Sequence, residues 1–137
     1  MKISTKGRYA LRLLLDIAQQ GEGAVVSLKD VSGRQDISVK YLEQIVLRLN
    51  KADFLKSIRG VQGGYMLTRA PRDYVVGDVL RAVEGSLAPT SCLQDDTNRC
   101  ERCSECDTLW FWQGMDQIIS DYVDRHTLQD FLDHGQI

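Results

Sequence analysis

A mostly α-helical fold with one small β-hairpin is what this sequence predicts, on three observations. Apolar residues recur at intervals of three and four along most of the chain, the spacing of amphipathic helices. Two short β-prone stretches flank the glycine-rich run "RGVQGG". Serine, threonine and glycine stand where the helices should start and stop.

The elements follow in order. Ser4 or Thr5 caps a first helix that runs to about Gln20, with Tyr9, Leu13, Ile17, Ala10 and Leu14 on one face, and Gly21 and Gly23 end it. Ser27 precedes a short second helix, about 28–34, and Asp30 three residues on resembles a capping box with Asp in place of Glu. "QDIS" is a turn, and Ser38 caps a third helix, "VKYLEQIVLRLNKA". Its buried stripe is Leu42, Ile45, Val46 and Leu49, while Lys40, Glu43, Gln44 and Arg48 project from the other side. Standing alone, two short helices and a tight turn make an ordinary helical hairpin. Here "LKSIRGVQGGYMLTR" follows, with strands at about 55–59 and 65–69 around Gly60, Gly63 and Gly64.

Helix-turn-helix followed by a basic-edged hairpin is a winged helix-turn-helix, whose third helix enters the major groove of double-stranded DNA. Its wing sets a cation against phosphate or into the minor groove, and Arg59, with Lys56 nearby, is placed for this. The predicted DNA-facing set is Ser38, Lys40, Tyr41, Glu43, Gln44, Arg59 and Gly60. "RGVQGG" could also be a plain loop or a phosphate cradle, but neither a helix start nor Lys-Ser/Thr follows its glycines.

"VVGDVLRAVEG", 75–85, is a fourth helix ended by Gly85, and "SLAPTS" is a linker into the cysteine-bearing segment. A long helix then runs from about Thr108 to Arg125. In it Trp112, Met115, Ile119 and Tyr122 are spaced as an a/d seam, which Phe111, Ile118 and Val123 widen. The seam predicts a homodimer, packing on its own domain being the alternative. Thr127 caps a short last helix, "LQDFLD". The expected organisation is a DNA-binding region at 1–85, a cysteine-bearing loop at 86–107, and a dimerisation helix with C-terminal tail at 108–137.

Net charge is −2, but its distribution is uneven: residues 1–72 carry 13 Lys/Arg against 6 Asp/Glu, and residues 73–137 carry 4 against 13. A basic front and an acidic back suit a protein whose front faces a polyanion. No run is long and apolar enough to span a membrane, and Lys6, Arg8, Arg12 and Asp16 interrupt any secretory h-region, so a cytoplasmic location is expected. His126 and His134 have no nucleophile or carboxylate pattern beside them and read as solvated or interfacial; no catalytic site is expected.

All four cysteines lie in "CLQDDTNRCERCSEC", residues 92–106, spaced C-x7-C-x2-C-x2-C. In a cytosolic chain such a group binds metal or senses redox state more often than it forms disulfides. Zinc sites draw two separate knuckles, a poor match here, and no βαβ unit supports a thioredoxin-type pair. Cys100, Cys103 and Cys106 have the C-x2-C-x2-C spacing of ferredoxins on a polar loop, and a metal-free thiol sensor stays open.

"STKGRYAL", "SVKYLEQIVLRL", "SIRGVQGGYML" and "GDVLRAVEG" resemble the IscR family of iron–sulfur cluster regulators, with NsrR and CymR among its relatives. The resemblance covers nearly the whole chain. It implies a dimeric winged-helix transcription factor and an iron–sulfur cofactor, [2Fe-2S] first and [4Fe-4S] as the alternative, held by Cys92, Cys100 and Cys106. Cys100-x5-Cys106 and Trp112 match the cluster-bearing branch; seven residues separate Cys92 from Cys100 where five are usual. Two departures concern the fourth ligand. Leu109 stands where such proteins carry a histidine, and Cys103 is an addition. Some relatives use a carboxylate near the start of the partner's first helix, where this chain has Lys6 and Arg8. Cys103 or Asp107 is left as the candidate. The implied role is control of cluster-assembly genes, with a nitric-oxide or redox-sensing repressor as the second reading.

Overall fold

The computed structural model describes residues 2–135; residue 1 and residues 136–137, at the ends of the first and third expected regions, lie outside the described residues. Among the described residues, six α-helices and one two-stranded antiparallel sheet follow in the order α1 Thr5–Gln19, α2 Leu28–Gln35, α3 Val39–Lys51, β1 Leu55–Ile58, β2 Gly64–Leu67, α4 Val76–Glu84, α5 Leu109–Asp124 and α6 Leu128–His134. Short 3-10 turns at Pro71–Asp73 and Ser91–Leu93 join them.

The caps are the expected ones. Ser4, Ser27 and Ser38 accept backbone N–H groups from Lys6, Asp30 and Tyr41, which satisfies donors that a helix start leaves orphaned. Among the described residues this is the only bond of the Ser27 side chain, and no Asp30 carboxylate returns to the Ser27 N–H. The reciprocal half of a capping box occurs instead at α6, where the Asp130 carboxylate accepts the Thr127 N–H at 3.0 Å. Asp36 ends α2 in the left-handed region (φ 55), its N–H on the Ser32 carbonyl; an aspartate tolerates this better than a bulkier residue.

α1 is central, packed on α2, α3, α4 and α6. Ala10, Leu13, Leu14 and Ile17 of α1 meet Leu42, Ile45, Val46 and Leu49 of α3, with Val79 and Val83 of α4 closing the core. Leu128 of α6 is buried in the same core. The chain therefore returns to the body after α5, and Leu128 N–H bonds the Tyr74 carbonyl at 3.0 Å.

Among the described residues one carboxylate is buried. Asp16 is 1 % exposed and takes four hydrogen bonds, three from Arg34 and one from Gln35. Arg12 reaches Gln35 in turn. The Asp16 hydrogen bonds raise the Arg34 pKa further above its ordinary value. A buried charge with all its acceptor sites used is tolerated, and this one fixes the end of α2 against α1.

The hairpin pairs Leu55 with Leu67, Lys56 with Met66, Ser57 with Tyr65 and Ile58 with Gly64. Val26 bonds Tyr65 on the far side of β2 through both backbone groups. A side chain at Gly64 would strike the Val26 backbone, and one at Gly63 the Ile58 carbonyl. The glycines of "RGVQGG" thus serve close backbone approach in a tight hairpin, not a phosphate cradle. Tyr74 anchors the root: fully buried, it donates to the Phe54 carbonyl at 2.6 Å and accepts from Thr68 N–H at 2.9 Å.

Candidate nucleic-acid interface and cysteine loop

α3 is amphipathic because its apolar residues fall at positions 42, 45, 46 and 49, and these are the four that are buried. Geometry then leaves Ser38, Lys40, Glu43, Gln44 and Arg48 exposed on the opposite face. Arg59 and Gly60 are exposed at the wing turn, Gly60 at φ 113. Apart from Arg48, which the predicted set does not include, these are predicted DNA-facing residues, and all can reach a ligand outside the protein.

Tyr41 differs. It is half-buried, its hydroxyl lies 3.0 Å from the Thr5 Oγ1, and its ring stands edge-on to Tyr9 at 5.6 Å. The helical register that groups it with Lys40 and Gln44 cannot see this link, because the partners come from α1.

Sequence reasoning also missed a cationic groove. Lys6, Arg48 and Lys51 line it with Tyr41, Gln44 and Leu47. Leu47 is 70 % exposed there, an apolar side chain among these cations. The excess of Lys/Arg in residues 1–72 was the available signal, but it does not say which cations share a surface.

Beyond Gly85 the chain changes character. Residues 86–108 hold no helix longer than a 3-10 turn and bond mostly to themselves: Cys103 N–H to the Cys100 carbonyl at 3.1 Å, Cys100 N–H to Asn98 Oδ1 at 2.9 Å. All four cysteines are free thiols, Cys100 exposed and the others half-exposed. Cys92 Sγ lies 3.1 Å from Thr90 Oγ1, and Cys106 Sγ 3.4 Å from Thr108 Oγ1. The Thr108 hydroxyl, helped by backbone N–H groups and Arg102, holds the Cys106 thiol below its usual pKa, toward the thiolate.

As donors the four thiols suit a soft metal or an iron–sulfur cluster: none is spent in a disulfide, none lies in an α-helix (Cys92 sits in the 3-10 turn Ser91–Leu93), and the loop is polar. The sulfurs do not converge in this conformation; among the described residues no three or more Cys, His, Asp or Glu side chains form a metal-sized group. Leu109, at the first position of α5, offers no ligand atom.

α5 itself is the most apolar exposed element. It has no buried residue. Trp110 and Ile118 are 72 % and 71 % exposed, with Phe111 and Tyr122 also open. Of the predicted seam, Trp112, Met115 and Ile119 are half-covered by their own chain and Tyr122 is exposed. The more exposed apolar stripe is therefore Phe111, Ile118 and Tyr122, one residue around the helix from Trp112 and Ile119. Arg81 of α4 clamps the far end, gripping Asp124 with bonds of 2.7 and 3.1 Å across Gly77. Among the described residues no helix is long and apolar enough to cross a membrane.

Comparison with known proteins agrees with this architecture. Residues 3–134 match the family Rrf2, described as an iron-dependent transcriptional regulator. Protein rrf2 of Nitratidesulfovibrio vulgaris is 39 % identical over 132 residues, 96 % of this chain and 87 % of its own. Among solved structures, IscR of T. potens superposes with a TM-score of 0.78 at 38 % identity, over 98 % of this chain and 88 % of its own. CymR (YrzC), the global cysteine regulator of B. subtilis, superposes with a TM-score of 0.79 at 31 % identity, over 98 % of both chains.

Proposed function

The chain belongs to the Rrf2 family of transcriptional regulators, and from that premise we propose that it is a homodimeric DNA-binding regulator that carries an iron–sulfur cluster on its cysteine loop and controls cluster-assembly genes. The observation that carries the cofactor is the loop itself: four free thiols within fifteen residues, on an irregular polar segment beside an apolar helix. Cys92, Cys100 and Cys106 would hold the cluster, with Cys103 in the fourth place that Leu109 cannot fill. When bound, the cluster supplies a site that responds to iron, oxidants and cluster supply; [2Fe-2S] is the first assignment and [4Fe-4S] the alternative. A metal-free thiol or nitric-oxide sensor is the second reading, favoured by the acidified thiol of Cys106.

Lys40, Glu43 and Gln44 would meet base edges in the major groove, with Arg59 on the wing at phosphate or in the minor groove. Ser38 and Gly60 would bring backbone close to phosphates. A second copy would cover Phe111, Ile118 and Tyr122, setting two α3 helices at the spacing of operator half-sites. Such a regulator works in the cytoplasm. The loop acts by favouring one of two arrangements of the body, so loaded and stripped forms differ in DNA affinity.

The test is anaerobic purification with an absorption spectrum and iron and sulfide counts, followed by DNA binding on a duplex selected from a random pool. The expected result is equal iron and inorganic sulfide, and an affinity that differs by about 5–150-fold between loaded and stripped protein. Iron without sulfide, or identical affinities, would contradict the reading.

A further inference from the structure

We infer that Glu84 and Tyr41 are positioning residues that tie the pitch of α3 to the chain segment entering the cysteine loop. The inference deepens the DNA-binding reading above and rests on it for its purpose.

Glu84 is the last residue of α4, and Gly85 follows at φ 86, where the chain turns into the loop. The Glu84 Oε1 reaches back eighty residues. It accepts the Ser4 N–H at 3.0 Å, the Ser4 hydroxyl at 2.5 Å and the Gly7 N–H at 2.9 Å. These groups belong to the start of α1, whose first N–H groups have no partner within the helix. A carboxylate there also complements the helix dipole. Gly7 makes the approach possible, since a Cβ at that position would lie 2.6 Å from Glu84 Oε1 and 3.0 Å from Ile3 Cγ2.

The same turn of α1 has a second partner. Thr5, between Ser4 and Gly7, meets the Tyr41 hydroxyl at 3.0 Å. Tyr41 lies in the first turn of α3, beside Lys40 and one residue short of Leu42 in the core. A single turn of α1 thus grips the end of α4 on one side and the start of α3 on the other. When the chain beyond Gly85 changes shape, Glu84 either lets go of α1 or carries its first turn along; in both cases the Thr5–Tyr41 bond moves. Such contiguous hydrogen-bonded contacts can transmit coupling when the linked elements have two arrangements. A change in the pitch of α3 alters how Lys40, Glu43 and Gln44 meet a groove. The Tyr41 hydroxyl is engaged inside the protein, so its contribution to recognition runs through Thr5.

Amide hydrogen exchange on the full-length chain tests the link without DNA or cofactor. Glu84→Ala should speed exchange at Gly7 and Arg8, and also at Leu42 to Ile45, by about tenfold, with α2 and the wing unchanged. Thr5→Val should speed the α3 amides alone. Acceleration confined to α1 in Glu84→Ala, or none in α3 of Thr5→Val, would overturn the link. Should Glu84→Ala fail to fold, the Thr5→Val result decides. A second arm uses the selected duplex: Thr5→Val and Tyr41→Phe should each weaken binding by about fivefold, and the double variant no further. Additive losses would make Tyr41 a direct DNA contact and overturn its positioning role. A protein with the expected exchange pattern that binds no DNA would contradict the functional reading alone.

Discussion

α3 and α5 each carry an apolar stripe at helical spacing, yet four residues of α3 are buried and none of α5. The difference separates what one chain can finish from what it cannot. α3 has α1 and α4 to cover it, so its apolar side is settled and its polar side is free for a ligand. α5 packs chiefly on α4 along one edge, held by the Arg81–Asp124 clamp, and leaves Trp110, Phe111, Ile118 and Tyr122 largely to solvent. Exposed aromatics and aliphatics grouped on one helix mark an interaction surface. The front of the molecule finds its apolar cover within one chain; under the function proposed above, the back would receive a second copy and a cofactor.

Substitutions on the two helices should therefore fail in different ways. The largest effect is expected on the buried side of α3: Leu42→Ala removes a fully buried side chain and should cost about 2–5 kcal/mol of folding stability, read as a lower denaturant midpoint. On α5 the outcome should be separation of subunits. Ile118→Asp should weaken self-association by about 2–3 kcal/mol in sedimentation, with helical content unchanged. Ile119→Asp, half-covered within its own chain, should lower both association and stability. A native-like dimer from Ile118→Asp would mean that the exposed stripe is not the contact. Next in size, Arg59→Ala should weaken DNA binding by about 1–3 kcal/mol while leaving dimer and fold alone. Unchanged affinity for Arg59→Ala, Lys40→Ala and Gln44→Ala would remove the DNA role from that face.

The smallest effect concerns pH and α6, the element that returns the chain to the body. The Thr127 N–H, then the His126 ring, hold the Asp130 carboxyl below its ordinary pKa. Its charge persists in the folded chain to lower pH than in the unfolded one. The contribution is therefore present above the unfolded pKa and is lost as pH falls through the depressed folded value. Melting temperature followed from neutral pH into the acid range should show a small extra decline in the parent that Asp130→Asn lacks. Parallel curves would place the cap outside the stability of the body.

Sequence patterns were a good guide wherever the cause is local. Ser4, Ser27, Ser38 and Thr127 mark helix starts within a residue because a cap acts on N–H groups two or three positions away. Gly85 marks the end of α4 for a similar reason. What escaped is long-range. The buried Asp16 looks like any charge on a helix until Arg34 and Gln35 are folded over it. Tyr74, Tyr41 and Glu84 are bonded across twenty, thirty-six and eighty residues. Only Gly7 hinted at this, as a glycine inside a strong helical pattern, which often signals close approach. On the candidate site, spacing identified the exposed face of α3 and the cysteine loop. It could not show that Tyr41 turns inward, or that the freest apolar stripe of α5 lies one residue from the a/d seam.

The central claim is that the four thiols are one ligand set and that Cys103 belongs to it. Each cysteine is replaced by serine in turn, the protein is purified without oxygen, and iron and sulfide are counted per protomer beside the parent. The account predicts a loaded parent and loss of iron in all four variants, Cys103→Ser included. Full iron in Cys103→Ser with loss in the Cys92, Cys100 and Cys106 variants would make Cys103 a bystander, and iron retained in all four would contradict the cluster assignment altogether.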